Sequence, residues 1–335
     1  MKKQPLGLYI HVPYCIHKCG YCDFNSHPIK HEEMIHYVDA LVAEIKHYAK
    51  IYSHDNFIKT IFLGGGTPTT LETGQLELIL EECANNFTIA SNGEITIEAN
   101  PATTDAKQMK SIRRSGYNRI SIGIQSFDKK ELKALDRAHG PEEIHSTIDQ
   151  AREAGFDNLS LDLMFAIPNQ SLSNWQDNLR QTLEKKPEHI STYNLTIEQG
   201  TAFSKLQSLG KIAMPTEDHQ LDLYKESIEF LVNNGFLHYE ISNFAQPGRE
   251  CAHNITYWEN KNTLGLGAGA SSYMEGIRFK NVNLPSQYIQ NIIEKRIGVE
   301  QKESLKRRQA MGETIMLGLR LMKGISIPQF EKRFQ

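Results

Sequence analysis

The sequence predicts an α/β fold built on a parallel sheet. Short apolar segments, most of them containing β-branched residues, alternate six times with longer segments of helical periodicity in the first 200 residues. A repeat of strand, helix and strand requires parallel pairing through right-handed crossovers. Six such units form either a doubly wound sheet or a partial barrel, and periodicity alone does not distinguish the two.

The six predicted strands are apolar runs bounded by polar or turn residues. They cover residues 6–12, 57–63, 94–100, 118–124, 158–165 and 189–197. The predicted helices between them cover residues 32–51, 71–86, 104–115, 128–135 with 141–154, and 172–185. Gly116 and Gly155 follow two of these helices, where a left-handed residue ends a helix before the next strand.

The pattern changes after about residue 200. We therefore predict a barrel domain over residues 1–200 and a smaller α+β module over residues 201–335. The elements predicted in the module are a helix at 216–233 capped by Thr216, short strands at 236–244 and 270–282, and helices at 285–297 and 303–322. Since no terminating signal follows the last predicted helix, the sequence also fits a fragment of a longer chain.

Composition excludes several classes of protein. The 37 Lys and Arg against 40 Asp and Glu give a net charge of −3, which argues against a general nucleic-acid binder. No apolar run approaches the roughly 18 residues of a transmembrane helix, and the amino terminus lacks the apolar core of a signal peptide. The five cysteines do not suggest a secreted disulfide framework. We expect a cytoplasmic protein, which leaves room for peripheral membrane contact.

Three cysteines lie within eight residues, directly after the first predicted strand: Cys15, Cys19 and Cys22. The spacing is C-x3-C-x2-C. Three thiolates suit a [4Fe-4S] cluster in which one iron stays open for chemistry. A tetrahedral zinc site completed by His11, His17 or Asp23 is the alternative.

This cysteine motif, with Tyr21 before its last cysteine, resembles the signature of the radical S-adenosylmethionine (SAM) superfamily. Its setting, YIHVPYC followed by CDFNSH, resembles the oxygen-independent coproporphyrinogen III oxidases and, among their relatives, the HemW heme chaperones most closely. The resemblance covers nearly the whole chain. It implies a partial (β/α)6 barrel with the cluster and SAM at the carboxyl ends of the strands, where parallel β/α proteins bind ligands. It also implies that the open iron is chelated by the amino and carboxylate groups of SAM.

A glycine-rich turn, GGGTP at residues 64–68, follows the second predicted strand. By itself it fits an ordinary strand-to-helix turn, and it lacks the lysine and spacing of a phosphate-binding loop. The resemblance implies that Gly65, Gly66 and Thr67 bind the SAM amino group.

Four polar residues in or near the later strands match SAM contacts of the oxidase pattern: Glu98, Gln125, Arg137 and Asp162. Each alone fits a capping residue or a buried ion pair equally well. Carboxylates suit an ammonium group or ribose hydroxyls, and a guanidinium suits a carboxylate. The resemblance also implies that Tyr9 and Tyr21 lie beside the cluster and SAM, whereas Arg119 is expected to be a structural ion-pair partner.

Residues 253–258 read H-N-x-x-Y-W and resemble a heme-associated motif of the heme chaperones. His253 and Tyr257 are candidate axial ligands, and Trp258 is a candidate for stacking on the porphyrin. An aromatic surface turn that packs the second module on the barrel is the alternative. Cys251 is expected to be a plain thiol rather than a heme ligand. The glycine-rich stretch 264–272 either cradles a propionate or phosphate or forms a tight turn.

Two departures from the oxidase pattern decide between the functions that the resemblance implies. Phe24 stands where the oxidases have a fourth cysteine, and only eight residues precede Tyr9, where those enzymes have a long extension. With the heme-associated motif, these departures predict a heme chaperone that binds heme, a [4Fe-4S] cluster and SAM. The alternative is an oxygen-independent coproporphyrinogen III oxidase. Expected partners are heme, an acceptor hemoprotein and a cellular electron donor, with the chain acting as a monomer or homodimer.

Overall fold

The centre of the molecule is a sheet of twelve strands. The computed structural model describes residues 3–335. The strands are β1 (Gln4–Val12), β2 (Tyr14–Cys15), β3 (His27–Pro28), β4 (Asn56–Gly65), β5 (Ile89–Ala99), β6 (Arg119–Gln125), β7 (Leu159–Phe165), β8 (His189–Asn194), β9 (Leu237–Glu240), β10 (Asn243–Ala245), β11 (Thr263–Leu266), β12 (Ser271–Met274), β13 (Ile277–Asn281) and β14 (Val299–Ser304). Strands β2 and β3 pair separately from the large sheet.

Within residues 3–335, twelve α-helices accompany the strands. They are α1 (His31–Tyr52), α2 (Thr73–Asn86), α3 (Ala106–Ser115), α4 (Lys129–Ala134), α5 (Pro141–Glu153), α6 (Leu172–Glu184), α7 (Ala202–Ser208), α8 (Glu217–Asn233), α9 (Ala252–Trp258), α10 (Pro285–Lys295), α11 (Arg307–Gly318) and α12 (Ile327–Phe334). A single 3-10 turn covers Pro68–Thr70. In the part of the chain that the structure describes, no helix is long and apolar enough to cross a membrane.

The sheet has a parallel centre and antiparallel edges. Its strand order is β14-β13-β12-β11-β1-β4-β5-β6-β7-β8-β10-β9. The strands from β11 through β1 to β8 are all parallel to their neighbours. Over residues 3–335 no ladder joins β14 to β9, so the sheet is open, as a partial barrel requires.

All six predicted strands and the helices between them are confirmed, with shifts of a few residues at their ends. Gly116 and Gly155 have φ values of +117° and +91°, as predicted for residues that end helices. The side chain of Thr216 accepts a hydrogen bond from the backbone N–H of His219 and caps α8. These features are confirmed because they depend on local periodicity and backbone stereochemistry.

Residues after 200 extend the same sheet at both of its edges. Strands β10 and β9 follow β8, whereas β11 lies parallel to β1 and leads to β12, β13 and β14. The sequence did not predict α7, α9, α12, β11 or β14. Four of these elements are too short to show a clear period, and β14 is polar and mostly exposed. The change of pattern that the sequence shows near residue 200 therefore corresponds to the end of the strand–helix repeat and not to the end of the sheet.

The central strands are apolar on one face and polar on the other. In β6, Ile120, Ile122 and Ile124 enter the main hydrophobic core. Arg119 and Ser121 alternate with these isoleucines along β6 and lie on the opposite face of the sheet, which we call the inner face. Side chains of a strand alternate between its two faces, so a run that reads as apolar still carries one polar row. This inner polar row positions the candidate site.

Candidate functional site

The three cysteines of the motif lie together beside the glycine-rich turn. Cys15 ends β2, and its Sγ lies 3.4 Å from Oγ1 of Thr67. The backbone N–H of Cys22 donates to the carbonyl of Cys19 at 3.0 Å, which closes the turn between them. All are free thiols, and burial raises the pKa of Cys15 and of Cys22.

The cysteine loop does not resemble a site for a single ion. Over residues 3–335, no three His, Cys, Asp or Glu side chains converge where one metal ion could be held. Thiolates of a four-iron cluster each bind a different iron, so they need not share one point. The three thiols therefore fit the donor set of a cluster with one open iron.

The glycine-rich turn packs directly against the strand that leads to Cys15. The backbone N–H groups of Gly66 and Thr67 donate to the carbonyls of Val12 and Tyr14, each at 2.8 Å. A Cβ on Gly66 would lie 2.7 Å from the carbonyl oxygen of Tyr14. The glycines thus keep the turn in contact with the backbone that carries the first cysteine.

We expect the Gly66→Ala variant to lose about 1–3 kcal/mol of unfolding free energy, because the added methyl overlaps fixed backbone. The Gly74→Ala variant is the control, since a methyl there meets nothing within 4 Å. Denaturant unfolding of the cluster-free proteins measures the difference. Equal stability of the two variants would show that the turn can relax away from Tyr14.

Two carboxylates meet on the inner face of the sheet near the turn. Oε2 of Glu98 accepts a hydrogen bond from the N–H of Gly65 at 3.0 Å. Asp162 accepts from Ser121 Oγ at 3.0 Å and from Ser160 Oγ at 3.1 Å. Burial, with the charge of Asp162, raises the pKa of Glu98 to about 7, and burial also raises the pKa of Asp162.

Three further polar side chains meet above a single glycine. A Cβ on Gly123 would lie 2.8 Å from Oδ1 of Asn100, 3.0 Å from Nε2 of Gln125 and 3.8 Å from Nη2 of Arg137. Arg137 donates from Nη2 to Asn100 and to the carbonyl of Gly123, and from Nη1 to Cys19 Sγ at 3.5 Å. Its buried Nε has no hydrogen-bond partner in the described part of the chain. The space above Gly123 therefore offers an amide, a guanidinium and a close approach to the cysteines.

These residues fit the charges of the amino-acid part of SAM. The carboxylate of Glu98 suits an ammonium group, and the unpartnered Nε of Arg137 suits a carboxylate. The structure brings Glu98, Gln125, Arg137 and Asp162 to one face, beside the turn and the cysteines. Asn100 was missed by the sequence reasoning. The available signal was its position two residues after Glu98, on the same face of the chain.

The two predicted tyrosines lie in different places. Tyr21 is in the cysteine loop, where its ring packs at 6.1 Å from that of Phe203, and burial raises its pKa. Tyr9 lies inside the sheet, with its hydroxyl 2.9 Å from Nδ1 of His11 and its ring beside that of His253. Tyr21 thus lies within the cysteine loop, whereas Tyr9 is linked through His11 to the carbonyl of Asn25, three residues after Cys22.

Arg119 departs from its predicted role. The residue is only 2 % exposed, and its Nε has no hydrogen-bond partner among residues 3–335. No salt bridge within 4 Å includes Arg119 in residues 3–335, so its expected ion-pair role is carried by the charges of Glu94 and Asp162 at longer range. Although burial opposes the charge, nearby Cys251, Glu94, Tyr239 and Asp162 raise its pKa overall.

The heme-associated motif forms a half-buried helix, α9, in which His253 is fully buried, rather than the alternative surface turn. The carboxylate of Glu94 caps it, accepting from the N–H groups of Ala252 at 2.8 Å and His253 at 3.0 Å. His253 is 1 % exposed, its Nδ1 lies 2.8 Å from Thr60 Oγ1, and its Nε2 lies 3.0 Å from the hydroxyl of Tyr257. Burial lowers the pKa of His253 to about 3, so the imidazole is neutral.

Trp258 lies apart from the other two motif residues. It lines a cavity of about 1080 Å³ together with Lys261, Tyr273 and Phe330, and the guanidinium of Arg320 lies 4.6 Å above its ring. His253 and Tyr257 do not line this cavity. The three predicted heme residues therefore do not share one surface in this conformation.

Two other predicted features are structural. Cys251 is fully buried beside Glu94, with its pKa raised to about 12 by burial, as a plain thiol would be. In the stretch 264–272, the N–H of Gly267 donates to Glu44 Oε2 and that of Ala268 to the hydroxyl of Tyr37, each at 2.8 Å. Because these amides are already used, the stretch is a tight turn rather than an anion cradle.

Comparison with known proteins decides the family. A model described as the radical SAM superfamily matches residues 9–181. Over its whole length this chain is 35% identical to the heme chaperone HemW of Lactococcus lactis, spanning 86% of that protein. The chain belongs to the HemW family of radical SAM proteins. It is also 40% identical over 272 residues to the heme chaperone HemW of Escherichia coli, which covers 81% of this chain and 70% of that one.

A solved structure shares the fold. Coproporphyrinogen III oxidase HemN from Escherichia coli, described as a radical SAM enzyme, superimposes with a TM-score of 0.86 and 25% sequence identity. The match covers 99% of this chain and 79% of that one. The predicted resemblance and the partial barrel are thereby confirmed.

Proposed function

We propose that this protein is a heme chaperone that carries a [4Fe-4S] cluster and SAM and delivers heme to an acceptor hemoprotein. The observation that carries the proposal is the alignment of the entire chain with a curated HemW heme chaperone. A second HemW heme chaperone, from Bacillus subtilis, is 36% identical over 97% of the chain. Phe24, 64 % exposed at the place of the fourth oxidase cysteine, offers no thiol and favours the chaperone over the oxidase.

Cys15, Cys19 and Cys22 would hold the cluster, which supplies one-electron chemistry when bound. Glu98 would accept hydrogen bonds from the SAM ammonium, as it now does from the N–H of Gly65. Arg137 would donate from its free Nε to the SAM carboxylate. Gln125 and Asp162, on the same inner face, would bind the remaining polar edges of SAM.

The heme ligands would come from α9. With its proton on Nδ1, the imidazole of His253 would donate to Oγ1 of Thr60 and leave Nε2 as the nitrogen available to iron. Nε2 is hydrogen-bonded to the hydroxyl of Tyr257 in this structure, and His253 is buried. Ligation by either side chain therefore requires this hydrogen bond to open and α9 to shift. We infer that stacking of Trp258 on the porphyrin would require the same shift, because its ring lines a separate cavity and lies under the guanidinium of Arg320.

The proposal has consequences for partners and location. An acceptor hemoprotein and a cellular electron donor would both dock on this chain, as a monomer or a homodimer. Thiolates that bind iron require a reducing compartment, which supports a cytoplasmic location. The net charge of −3 gives no support to nucleic-acid binding.

An anaerobic sample with a reconstituted cluster tests the function. We expect a Soret band on heme addition and no decarboxylated product from coproporphyrinogen III with SAM and reductant. The His253→Ala/Tyr257→Ala double variant should lose most of the Soret band while its iron–sulfur content stays unchanged. The Tyr257→Phe variant removes only the hydroxyl, and Tyr52→Phe is its matched control because Tyr52 lies in α1 and does not line the cavity that contains Trp258. Turnover of coproporphyrinogen III at enzymatic rates would instead establish the oxidase, which the HemN likeness keeps as the second candidate.

A further inference from the structure

The turn between Cys19 and Cys22 is held at Gly20 by two backbone hydrogen bonds and by packing against an aromatic ring. The N–H of Gly20 donates to Oδ2 of Asp136 at 3.1 Å. Its carbonyl accepts a hydrogen bond from the N–H of Phe203 at 2.9 Å. A Cβ on Gly20 would lie 2.6 Å from Cε1 of the Phe203 ring. The residue next to the second cysteine therefore has both backbone polar groups bonded and its Cα against an aromatic ring.

Asp136 holds both sides of Cys19. The same oxygen that accepts from Gly20 lies 3.0 Å from Nε2 of His17. Asp136 has a φ of +55°, a left-handed conformation that a non-glycine residue adopts at some cost. The next residue, Arg137, donates to Cys19 Sγ. The backbone after α4 is thus shaped so that two consecutive side chains reach the cysteine loop.

Phe203 comes from outside the six strand–helix units. It lies in the first turn of α7, which Thr201 caps by accepting from the N–H of Ser204 at 3.1 Å. Phe203 is 4 % exposed, and Tyr21 packs edge-on against it. Tyr21 also packs on a satellite cluster of buried residues: Leu135, Met164, Ile167 and Leu195. The cysteine loop is therefore held by hydrophobic packing of Tyr21 as well as by hydrogen bonds.

We propose that Asp136 and Phe203 are positioning residues that fix the Cys19–Cys22 turn in its cluster-binding geometry before iron binds. The inference rests on the proposed [4Fe-4S] site. Neither side chain donates a ligand, since both act through Gly20. Groups that orient metal ligands in this way commonly account for about 10- to 100-fold in metal affinity. A loop held in place also avoids the entropy of ordering three thiols during assembly.

Paired variants at residues 20 and 203 test the contact. We expect Gly20→Ala to speed cluster loss to an iron chelator by about 10- to 100-fold. Adding Phe203→Ala to Gly20→Ala should return the rate to that of Phe203→Ala alone, because the overlapping ring is gone. Gly74→Ala is the control, since a methyl there meets no atom within 4 Å. A double variant that loses its cluster as fast as Gly20→Ala would overturn the proposed role of Phe203.

Variants at residue 136 test the hydrogen bonds without adding bulk. Asp136→Asn keeps an acceptor oxygen and should hold the cluster nearly as long as the wild type. Asp136→Gly removes the carboxylate while tolerating the left-handed backbone, and it should lose the cluster about tenfold faster. Unfolding midpoints of the cluster-free proteins show whether each variant folds. Equal chelation rates for the wild type and Asp136→Gly would overturn the role of Asp136.

The two levels of the proposal fail in different ways. Iron and sulfide analysis after anaerobic reconstitution of the wild type tests the cofactor itself. A wild type that takes up no four-iron cluster overturns the proposed cofactor and the positioning role together. A wild type that holds a cluster, with variants that lose it no faster, overturns only the positioning role. Heme binding is not part of the measurement.

Discussion

Replacement of Cys15, Cys19 or Cys22 by Ala is expected to abolish the four-iron cluster. Each thiolate would hold one iron, and the loop offers no substitute thiol at the place of Phe24. Anaerobic reconstitution followed by iron and sulfide analysis, with the visible absorbance of the cluster, measures the loss. Each single variant should retain little or no four-iron cluster.

The other two cysteines supply the controls for this experiment. Cys83 lies in α2 and Cys251 precedes α9, and both are fully buried away from the cysteine loop. Cys83→Ala and Cys251→Ala should keep the cluster even if they lose some stability to a small cavity. An intact cluster in all three loop variants would contradict the ligand assignment.

Binding of SAM is expected to strengthen as the pH rises toward 7. The pKa of Glu98 is raised to about 7 by burial and by Asp162, so below that pH the carboxyl is mostly neutral. A neutral carboxyl pairs poorly with the SAM ammonium, which stays protonated below about pH 7.7. The dissociation constant should therefore rise about tenfold for each pH unit below 7. Anaerobic equilibrium dialysis between pH 5.5 and 7.5 measures it.

Glu98→Gln should remove this pH dependence and weaken SAM binding at pH 7.5. Because the folded-state pKa of Glu98 lies above its ordinary value, ionising it destabilises the folded protein as the pH rises through 7. The variant should therefore unfold less readily than the wild type at pH 8 in the absence of SAM. Glu300→Gln, on the exposed face of β14, is the matched control. A pH-independent dissociation constant in the wild type would refute the role of Glu98.

The predicted SAM residues illustrate how far local pattern reaches. Glu98, Gln125 and Asp162 each break or end an apolar run, and their match to the oxidase pattern assigned them to SAM. Asn100 and Asp136 were not found, since an Asn after a strand and an Asp after a helix are ordinary residues in sequence. Only the structure shows that Asn100 contacts Arg137 and that Asp136 contacts Gly20. Those contacts join residues 37 and 116 positions apart.

For the heme-associated motif, the sequence identified the residues but not their environment. The sequence singled out residues 253–258 as a candidate heme motif, but it could not show whether they face solvent. The structure buries His253 against the sheet, where Nδ1 is hydrogen-bonded to Thr60 of β4 and Nε2 to the hydroxyl of Tyr257. Burial depends on which strands lie across from the helix, and this information is absent from a six-residue pattern.

The sequence by itself determined the six strand–helix units, their parallel pairing and the cysteine motif. These follow from side-chain periodicity, the left-handed freedom of glycine, and the spacing of thiols along one short loop. Tertiary structure alone decided that β11 pairs with β1 and that the later strands extend both edges of one sheet. It also decided that the inner strand faces are polar and that Phe203 reaches the cysteine loop. The physical reason is that such contacts join residues far apart in the chain, whose proximity is set by packing of the whole sheet rather than by any local preference.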